Sequence, residues 1–234
     1  MIEKKLAIVI PVWNQWAYTK RAIIDLAALP DNHLLVIVDN GSTDGNSQLR
    51  NSNRLEIVRH SSNQGFSKGC NSGFKRAVEL GYENVMFLNN DIRVFAEGKD
   101  VETWTEPLLQ AAQDGYIAGP TAGYLDEQFN FICEASKLPT RGYGYLSGWN
   151  ITASTKTWQR LILDGDTGPF NTRFISYFED TDLSLRAQKM GIELKIIEVP
   201  VRHIGKVTGK KAGLSALYTQ SRKTFIELWS KKYV

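Results

Sequence analysis

The chain reads as an α/β fold: a mostly parallel sheet with helices on both faces, followed by a less regular second half. Two observations predict it. Short runs of continuous apolar residues alternate with helical patterns over the first 90 residues, the rhythm of a parallel sheet covered on both sides. Each run also ends in polar residues, as strands do when they deliver groups to the crevice beyond the carboxyl edge of a sheet.

Leu6 to Ile10 is apolar throughout and stops at Pro11, so it is expected to be a central strand. Asn14 is placed to cap a helix through about Leu29, with Ala22, Ile23 and Leu26 facing inward and Pro30 just beyond its end. Leu34 to Val38 is a second strand, and Asp39-Asn40-Gly41-Ser42-Thr43-Asp44-Gly45 the loop that follows. Leu55 to Val58 is a third, followed by Asn63-Gln64-Gly65-Phe66 and a helix from about Ser67 to Leu80. Val85-Met86-Phe87-Leu88 then runs directly into Asn89-Asn90-Asp91, which puts oxygen ligands, and a carboxylate among them, at the sheet edge. Such ligands suit Mg²⁺ or Mn²⁺ held against a diphosphate. A plain Asn-Asp turn is the alternative, since both residues favour turns.

Past Asp91 the spacing predicts a helix over 101–114, a strand over 116–120, and hairpins or irregular structure over 121–150. It then predicts a short helix over 156–163, a helix over 179–190 stopped by Gly191, and a strand over 193–199. Gly205 to Gly213, rich in Gly and Lys, is expected to be mobile, and 214–232 to be a terminal helix. No linker separates two independent domains. A first part over about 1–95, a second over about 96–205, and a loop with a terminal helix over about 206–234 are expected within a single domain.

Composition removes several classes. At 234 residues, with 42% hydrophobic and 23% charged, the chain can bury a full core. A net charge of +3 is too small to argue for nucleic acid. Cys70 and Cys133 make no disulfide framework, and no stretch is long and apolar enough to span a bilayer. The N-terminus enters its first strand without an apolar leader, so a cytoplasmic location is expected. The chain contains no P-loop, and Gly142-Tyr143-Gly144-Tyr145 lacks the third glycine and the strand–helix setting of a dinucleotide fingerprint. The cysteines and the histidines (His33, His60, His203) have no zinc spacing.

Three carboxylates in Phe178-Glu179-Asp180-Thr181-Asp182-Leu183 compete for a role as general base. Leu183, Ala187 and Met190 repeat at helical spacing and mark a buried face, and Asp180 precedes them on that side, at the helix's first turn. There the helix dipole favours its ionised form. Asp182 aligns with Arg186 and Lys189 and is expected to be a solvated ion-pair partner. Glu179 is not excluded by spacing, and its longer chain suits orienting an acceptor or capping the helix.

Together, Ile8-Val9-Ile10-Pro11-Val12-Trp13-Asn14, Val38 through Gly45, Asn63-Gln64-Gly65-Phe66 with Asn71-Ser72-Gly73, Leu88-Asn89-Asn90-Asp91 and Phe178 through Leu183 resemble, in order and spacing, the family 2 glycosyltransferases, in particular the branch holding rhamnosyltransferases. The resemblance runs from Leu6 into the terminal helix. It implies a GT-A fold, a UDP- or dTDP-sugar donor, a divalent metal (Mn²⁺ or Mg²⁺), inversion at the anomeric carbon, and a glycan or glycolipid acceptor, with peripheral contact at the inner face of a membrane. It implies a nucleotide site of Pro11, Asp39, Asn40, Asn63, Gly65, Asn71 and Asn90, with Asp39 accepting from the base. A helix or turn cap is the lesser alternative for Asp39, and Asn63, Gly65 and Asn71 could form a purely structural turn. Asp91 is the implied metal ligand. The family's usual first acidic residue is replaced by Asn89. His203 is an implied second metal ligand or a surface histidine on a basic loop, with Arg202, Lys206, Lys210 and Lys211 turned toward the diphosphate. Asp180 is the implied base, with Glu179 beside it. Gly148, Trp149 and Asp182 are assigned to the acceptor, Trp149 by stacking on a sugar ring or else as a core residue. A binding module without turnover, favoured by Asn89, and a sugar nucleotidyltransferase, which lacks its glycine-rich signature loop here, are the competing readings.

Overall fold

The computed structural model describes residues 5–98, 100–135, 137–138, 143–205 and 214–230. Its centre is a seven-stranded sheet. Strands β1 (Leu6–Val12), β2 (His33–Asp39), β3 (Leu55–Arg59) and β4 (Asn84–Leu88) arrive in the order the apolar runs predict. β5 (Ile92–Val94) follows at once, then β6 (Ile117–Gly119), β7 (Ala122–Leu125), β8 (Phe131–Ala135), β9 (Tyr143–Leu146), β10 (Asn150–Ser154), β11 (Leu194–Ile196) and β12 (Val201–His203). The large sheet has the order β11-β6-β10-β4-β1-β2-β3. β10 alone is antiparallel to its neighbours; the other pairings are parallel. The mostly parallel α/β expectation is therefore met. Strands from the second half of the chain complete the sheet begun by the first.

Continuous apolar strands are explained by a core on each face. Val9, Val36, Val38, Val85 and Phe87 pack on helix α2 (Phe66–Glu79) through Cys70, Phe74 and Ala77. Their sequence neighbours Ile8, Ile10, Leu35, Ile37, Met86 and Leu88 point the other way, against Ala22 and Leu26 of the α1 region (Trp16–Asp25) and Leu108 and Leu109 of α4 (Glu106–Gln113). With side chains alternating across each strand, both faces had to be apolar. The predicted helix over 101–114 is two pieces, α3 (Asp100–Thr103) and α4, because Pro107 opens the second. α5 (Thr155–Gln159) is shorter than expected. α6 (Glu179–Lys189) ends at Gly191 as predicted. α7 (Leu214–Trp229) closes over a third cluster of Phe129, Phe174, Phe178, Leu185, Phe225 and Trp229. Most of the stretch expected to be mobile, 206–213, lies outside the described residues.

Asn14 does not cap α1. Asn14 and Gln15 both take left-handed backbone, and the cap comes from a distant loop: Asp44 Oδ2 accepts from Trp16 N at 2.8 Å. The cap thereby ties the β2 loop to the start of α1.

Gly73 sets how closely α2 lies on the sheet. A Cβ there would sit 2.3 Å from Val9 Cγ1 and 2.9 Å from Val38 Cγ2. Gly73→Leu is therefore expected to destabilise the fold by about 1–3 kcal/mol or more through overpacking. Urea unfolding checks it, and unchanged stability would mean that the helix has room to lift.

Candidate functional site

The site is built where β1, β2 and β4 end and where the β9–β10 turn faces the start of α6. Asp91 follows β4, and its Oδ1 lies 3.0 Å from His203 Nε2 at the end of β12. Asn89 Nδ2 is 3.2 Å from the same imidazole nitrogen. Asn89 Oδ1 is buried with no partner, an uncompensated acceptor of the kind a cation would satisfy. Trp149 lies flat on His203, with ring centroids 5.4 Å apart and planes 7° from parallel.

The turn holding Trp149 also reaches α6. Gly148 N donates to Asp180 Oδ2 at 2.9 Å. Asp180 Oδ1 accepts from Thr181 N at 2.7 Å and from Thr181 Oγ1 at 3.3 Å. One turn thus touches both ends of the site. A side chain at Gly148 would collide with the base candidate, since its Cβ would be 2.9 Å from Asp180 Cβ.

Glu179 is buried, and its Oε2 has no partner. Burial, and next the Asp180 carboxylate beside it, push its pKa up to about 8. Burial likewise raises the proton affinity of Asp180, while the Gly148 and Thr181 N–H groups hold it down. The helix dipole, from which an easily ionised Asp180 was expected, is thus outweighed by desolvation.

The nucleotide-side residues fall into two groups. Asp39 Oδ1 accepts from Ser42 N at 2.8 Å, and its Oδ2 meets Arg59 Nη1 at 2.5 Å. The turn-capping reading of Asp39 is therefore seen, joined by an ion pair. Asn40 donates to Gly65 O at 3.2 Å and sits 2.7 Å from His60 Nδ1. Gly65, at φ +86°, would place a Cβ 2.6 Å from Ile175 O, so only glycine lets the 171–178 segment approach the start of α2. Asn63 closes that turn by accepting from Gly65 N at 2.9 Å. Pro11 lies against Gly69 of α2, and Asn90 donates to Thr19 Oγ1 at 3.0 Å.

Asn71 is buried, and its amide is tied to Phe170, donating to the carbonyl at 2.8 Å and accepting from the N–H at 3.0 Å. The structural reading of Asn71 is therefore seen. Three expectations are corrected. Asp182 is 2% exposed and not solvated: Arg186 Nε donates to it at 2.7 Å and Trp229 Nε1 at 3.0 Å, which leaves no carboxylate oxygen turned toward an acceptor. Trp149 is 6% exposed and covered by His203, so it offers no open face to a sugar. Arg202 is turned away from His203, its neighbour in β12, and lies over the Phe95 ring at 5.1 Å, not toward a diphosphate. Lys206, Lys210 and Lys211 lie outside the described residues.

Sequence reasoning missed Arg59, His60, Asp44 and Thr181. Each is polar and follows a strand or opens a helix, but only the fold brings it to its partner. A groove of about 440 Å³ lies along α2, lined by His60, Gln64, Lys68, Asn71, Asp166 and Thr172 among others. None of Asp91, Asp180 or His203 lines it, but His60, the partner of Asn40, does, so it adjoins the nucleotide-side residues.

The donors present can hold a metal. Asp91, His203 and the orphaned Asn89 oxygen offer carboxylate, imidazole and amide, a mixture that suits Mn²⁺. Among the described residues there is no group of three or more His, Cys, Asp or Glu around one point. A diphosphate would therefore have to complete the coordination, as is usual for such ions.

An α/β sheet with polar and acidic groups gathered beyond its carboxyl edge defines a nucleotide-binding class of protein. The chain belongs to glycosyl transferase family 2, whose model matches residues 7–153. An uncharacterized protein of Mycobacterium tuberculosis strain H37Rv is 26% identical over 213 residues, covering 87% of this chain and 75% of that one. Among solved structures, the mannosyltransferase PcManGT of Pyrobaculum calidifontis, in complex with GDP-Man and Mn²⁺, has a TM-score of 0.64 at 16% identity, over 97% of this chain and 64% of its own. Glucosyl-3-phosphoglycerate synthase of Mycobacterium tuberculosis, with Mn²⁺ and UDP, gives 0.59 at 15%, over 95% and 79%. TarS 1-349 of S. aureus gives 0.53 at 19%, over 78% of this chain and 55% of that one. The chain thus spans about half to four fifths of these neighbours, and at such identities they establish the fold alone. No helix among the described residues is long and apolar enough to cross a membrane.

The Glu179 geometry predicts a pH dependence of stability. Its pKa in the fold lies above its ordinary value of 4.5, so the folded state holds a proton that the unfolded state has released. Between about pH 5 and 8 each unit of rising pH therefore removes stability, at most ~1.4 kcal/mol per unit. Glu179→Gln should flatten this slope in urea melts across that range. A slope unchanged by the substitution would show that Glu179 ionises normally.

Proposed function

We propose that this chain is an inverting, metal-dependent transferase that moves a hexose or deoxyhexose from a UDP- or dTDP-sugar to a hydroxyl of a glycan or glycolipid. The observation that carries the reading is the Gly148–Trp149 turn, which holds a carboxylate on one side and the Asp91–His203 pair on the other. Family 2 membership supports transfer of a sugar. The UDP bound in one structural neighbour supports the pyrimidine donor; the GDP-Man bound in another makes the base a point to test. A rhamnose-type deoxyhexose remains part of the proposal through the resemblance in the sequence, as do a role in polysaccharide assembly and action at the cytoplasmic face of a membrane.

In this mechanism Asp180 is the general base. It takes the proton of the acceptor hydroxyl while that oxygen bonds to the anomeric carbon, and the bond from that carbon to the diphosphate oxygen breaks on the opposite side. The configuration therefore inverts. The N–H groups of Gly148 and Thr181 fix the carboxylate, and its burial raises its proton affinity above that of an ordinary aspartate, the direction that favours a base. Glu179, kept protonated by burial, is suited to donate to an acceptor oxygen from its unpartnered side. Asp91, His203 and Asn89 would hold Mn²⁺ or Mg²⁺, which when bound offsets the charge developing on the diphosphate. Asp39 is assigned to the base of the nucleotide and would accept from its ring N–H in addition to its bonds to Ser42 and Arg59.

Asp180→Asn should lower kcat by two or more orders of magnitude and leave Mn²⁺-dependent UDP or dTDP binding intact by calorimetry. Asp91→Ala should instead abolish the metal dependence of that binding. An active Asp180→Asn enzyme, or metal-dependent binding that survives Asp91→Ala, would reassign the residue concerned.

A further inference from the structure

The outer face of the β5–β12 ribbon sets exposed arginines beside exposed apolar side chains. Its two strands pair antiparallel, with Arg93 opposite Arg202 and Ile92 opposite His203. Ile92 and Val201 are buried beneath the ribbon, so Arg93 and Arg202 face outward. Side chains two residues apart share a face, which adds Phe95 to the Arg93 side and Ile204 to the Arg202 side. Phe95 is 56% exposed and Ile204 49%. The ribbon continues past Val94, because Phe95 N donates to Pro200 O at 2.7 Å. Arg202 then lies over the Phe95 ring at 5.1 Å.

Helix α1 extends the same surface. Asp25 joins the two elements, bonding Arg21 at 2.7 Å and Arg93 at 3.3 Å while accepting from Val94 N at 3.3 Å. Its own side chain is 5% exposed, whereas the two arginines remain 50% and 39% exposed. Ile24, one turn from Arg21, is 55% exposed. Cations and large apolar side chains therefore stand outward together, and the acid that links them is buried. Glu97, beyond Phe95, and Glu198, two residues before Pro200, are exposed acids at the margin.

We propose that this face, centred on Arg21, Ile24, Arg93, Phe95, Arg202 and Ile204, docks the protein on an anionic lipid bilayer. Charge complementarity selects the occupant. Negative headgroups match the arginines, and the apolar side chains between them can enter the boundary between headgroups and acyl chains. A water-exposed surface has no use for Phe95 and Ile204 beside arginines, whereas a protein partner would leave the guanidinium groups to be desolvated and individually paired. The location supports the choice. Ile204 N donates to Asp91 O at 2.8 Å, and His203 lies on the inner face of the same strand. The docking face and the proposed diphosphate site thus share one strand on its opposite faces, and docking would hold the site one strand's thickness above the headgroups. The inference deepens the transferase reading and rests on it only for the identity of that site.

Co-sedimentation of the full chain with sucrose-loaded vesicles tests it. Binding should be at least tenfold stronger to phosphatidylcholine containing phosphatidylglycerol than to phosphatidylcholine alone, and should weaken as salt rises. Arg202→Gln should cost about fivefold in partition, one surface cation's worth, and Phe95→Ser with Ile204→Ser tenfold or more. Should that double variant melt early, Ile24→Ser, on a different element, should still weaken binding severalfold. Failure of the unaltered chain to bind anionic vesicles, or equal binding by all variants, overturns the proposal. So does a self-associated state in sedimentation velocity that the same substitutions dissolve, which would give the face to a second copy. Calorimetric binding of UDP with Mn²⁺, measured without vesicles, reports on the transferase reading separately, so either idea can fail while the other stands.

Discussion

The arrangement depends on one close approach: the backbone of Gly148 against the carboxylate of Asp180. The hydrogen bond of 2.9 Å requires a residue without a side chain, and the residue after it, Trp149, lies on His203. Leu146, two residues before, donates to Ser184 Oγ at 3.1 Å and ties the same strand to α6. Asn89 N in turn donates to Trp149 O at 2.9 Å. The base candidate and the metal-side residues come from separate segments of the chain, and this turn is the piece of backbone that touches both. A loop without it would have to order both ends independently, at the entropic cost of each.

The α6 side of the turn is braced by α7. Tyr177 and Phe178, just before the Glu179–Asp180 pair, take left-handed backbone at φ 70° and 65°, a conformation unfavourable for residues of that size. Ser221 Oγ holds the carbonyl of Ser176 at 2.6 Å, and Phe225 packs on Phe178 with ring centroids 5.1 Å apart. Trp229 and Arg186 meet at Asp182, and Arg186 also donates to the carbonyls of Leu161 and Pro169 at 2.6 and 2.8 Å. The terminal helix therefore does not stand apart from the site. It holds in place the strained segment from which Glu179 and Asp180 project. Asp182, expected in solvent, is the buried anchor of that brace, and removing it would leave Arg186 without the carboxylate it pairs with among the described residues.

Strands and buried faces were legible because alternation and apolar run length are local properties. Leu6–Val12, His33–Asp39 and Asn84–Leu88 follow directly from their residues. The places where polar groups leave the sheet were legible for the same reason, including Asp91 and the Glu179–Asp180 pair. Partners across the chain were not. Asp44 serves a helix that begins 28 residues earlier in sequence, and no local pattern distinguishes it from Asn14. Asn71 looked like a loop ligand, but its amide also ties the helix to Phe170, 99 residues away. Trp149 is an aromatic residue near an expected acceptor pocket, and only the approach of β12 shows that an imidazole already covers it. Helical spacing put Asp182 on a polar face, and the spacing was sound: Arg186 is its partner. The error was to assume water outside that face, where α7 lies.

The central claim is a single displacement with a carboxylate base on the acceptor side. The stereochemistry of the product tests it most directly. With an α-linked nucleotide sugar as donor, proton NMR of the isolated product should show the coupling constant of a β-anomeric proton. An α-linked product would contradict the account, since retention requires a different sequence of bond changes from the one this geometry supports.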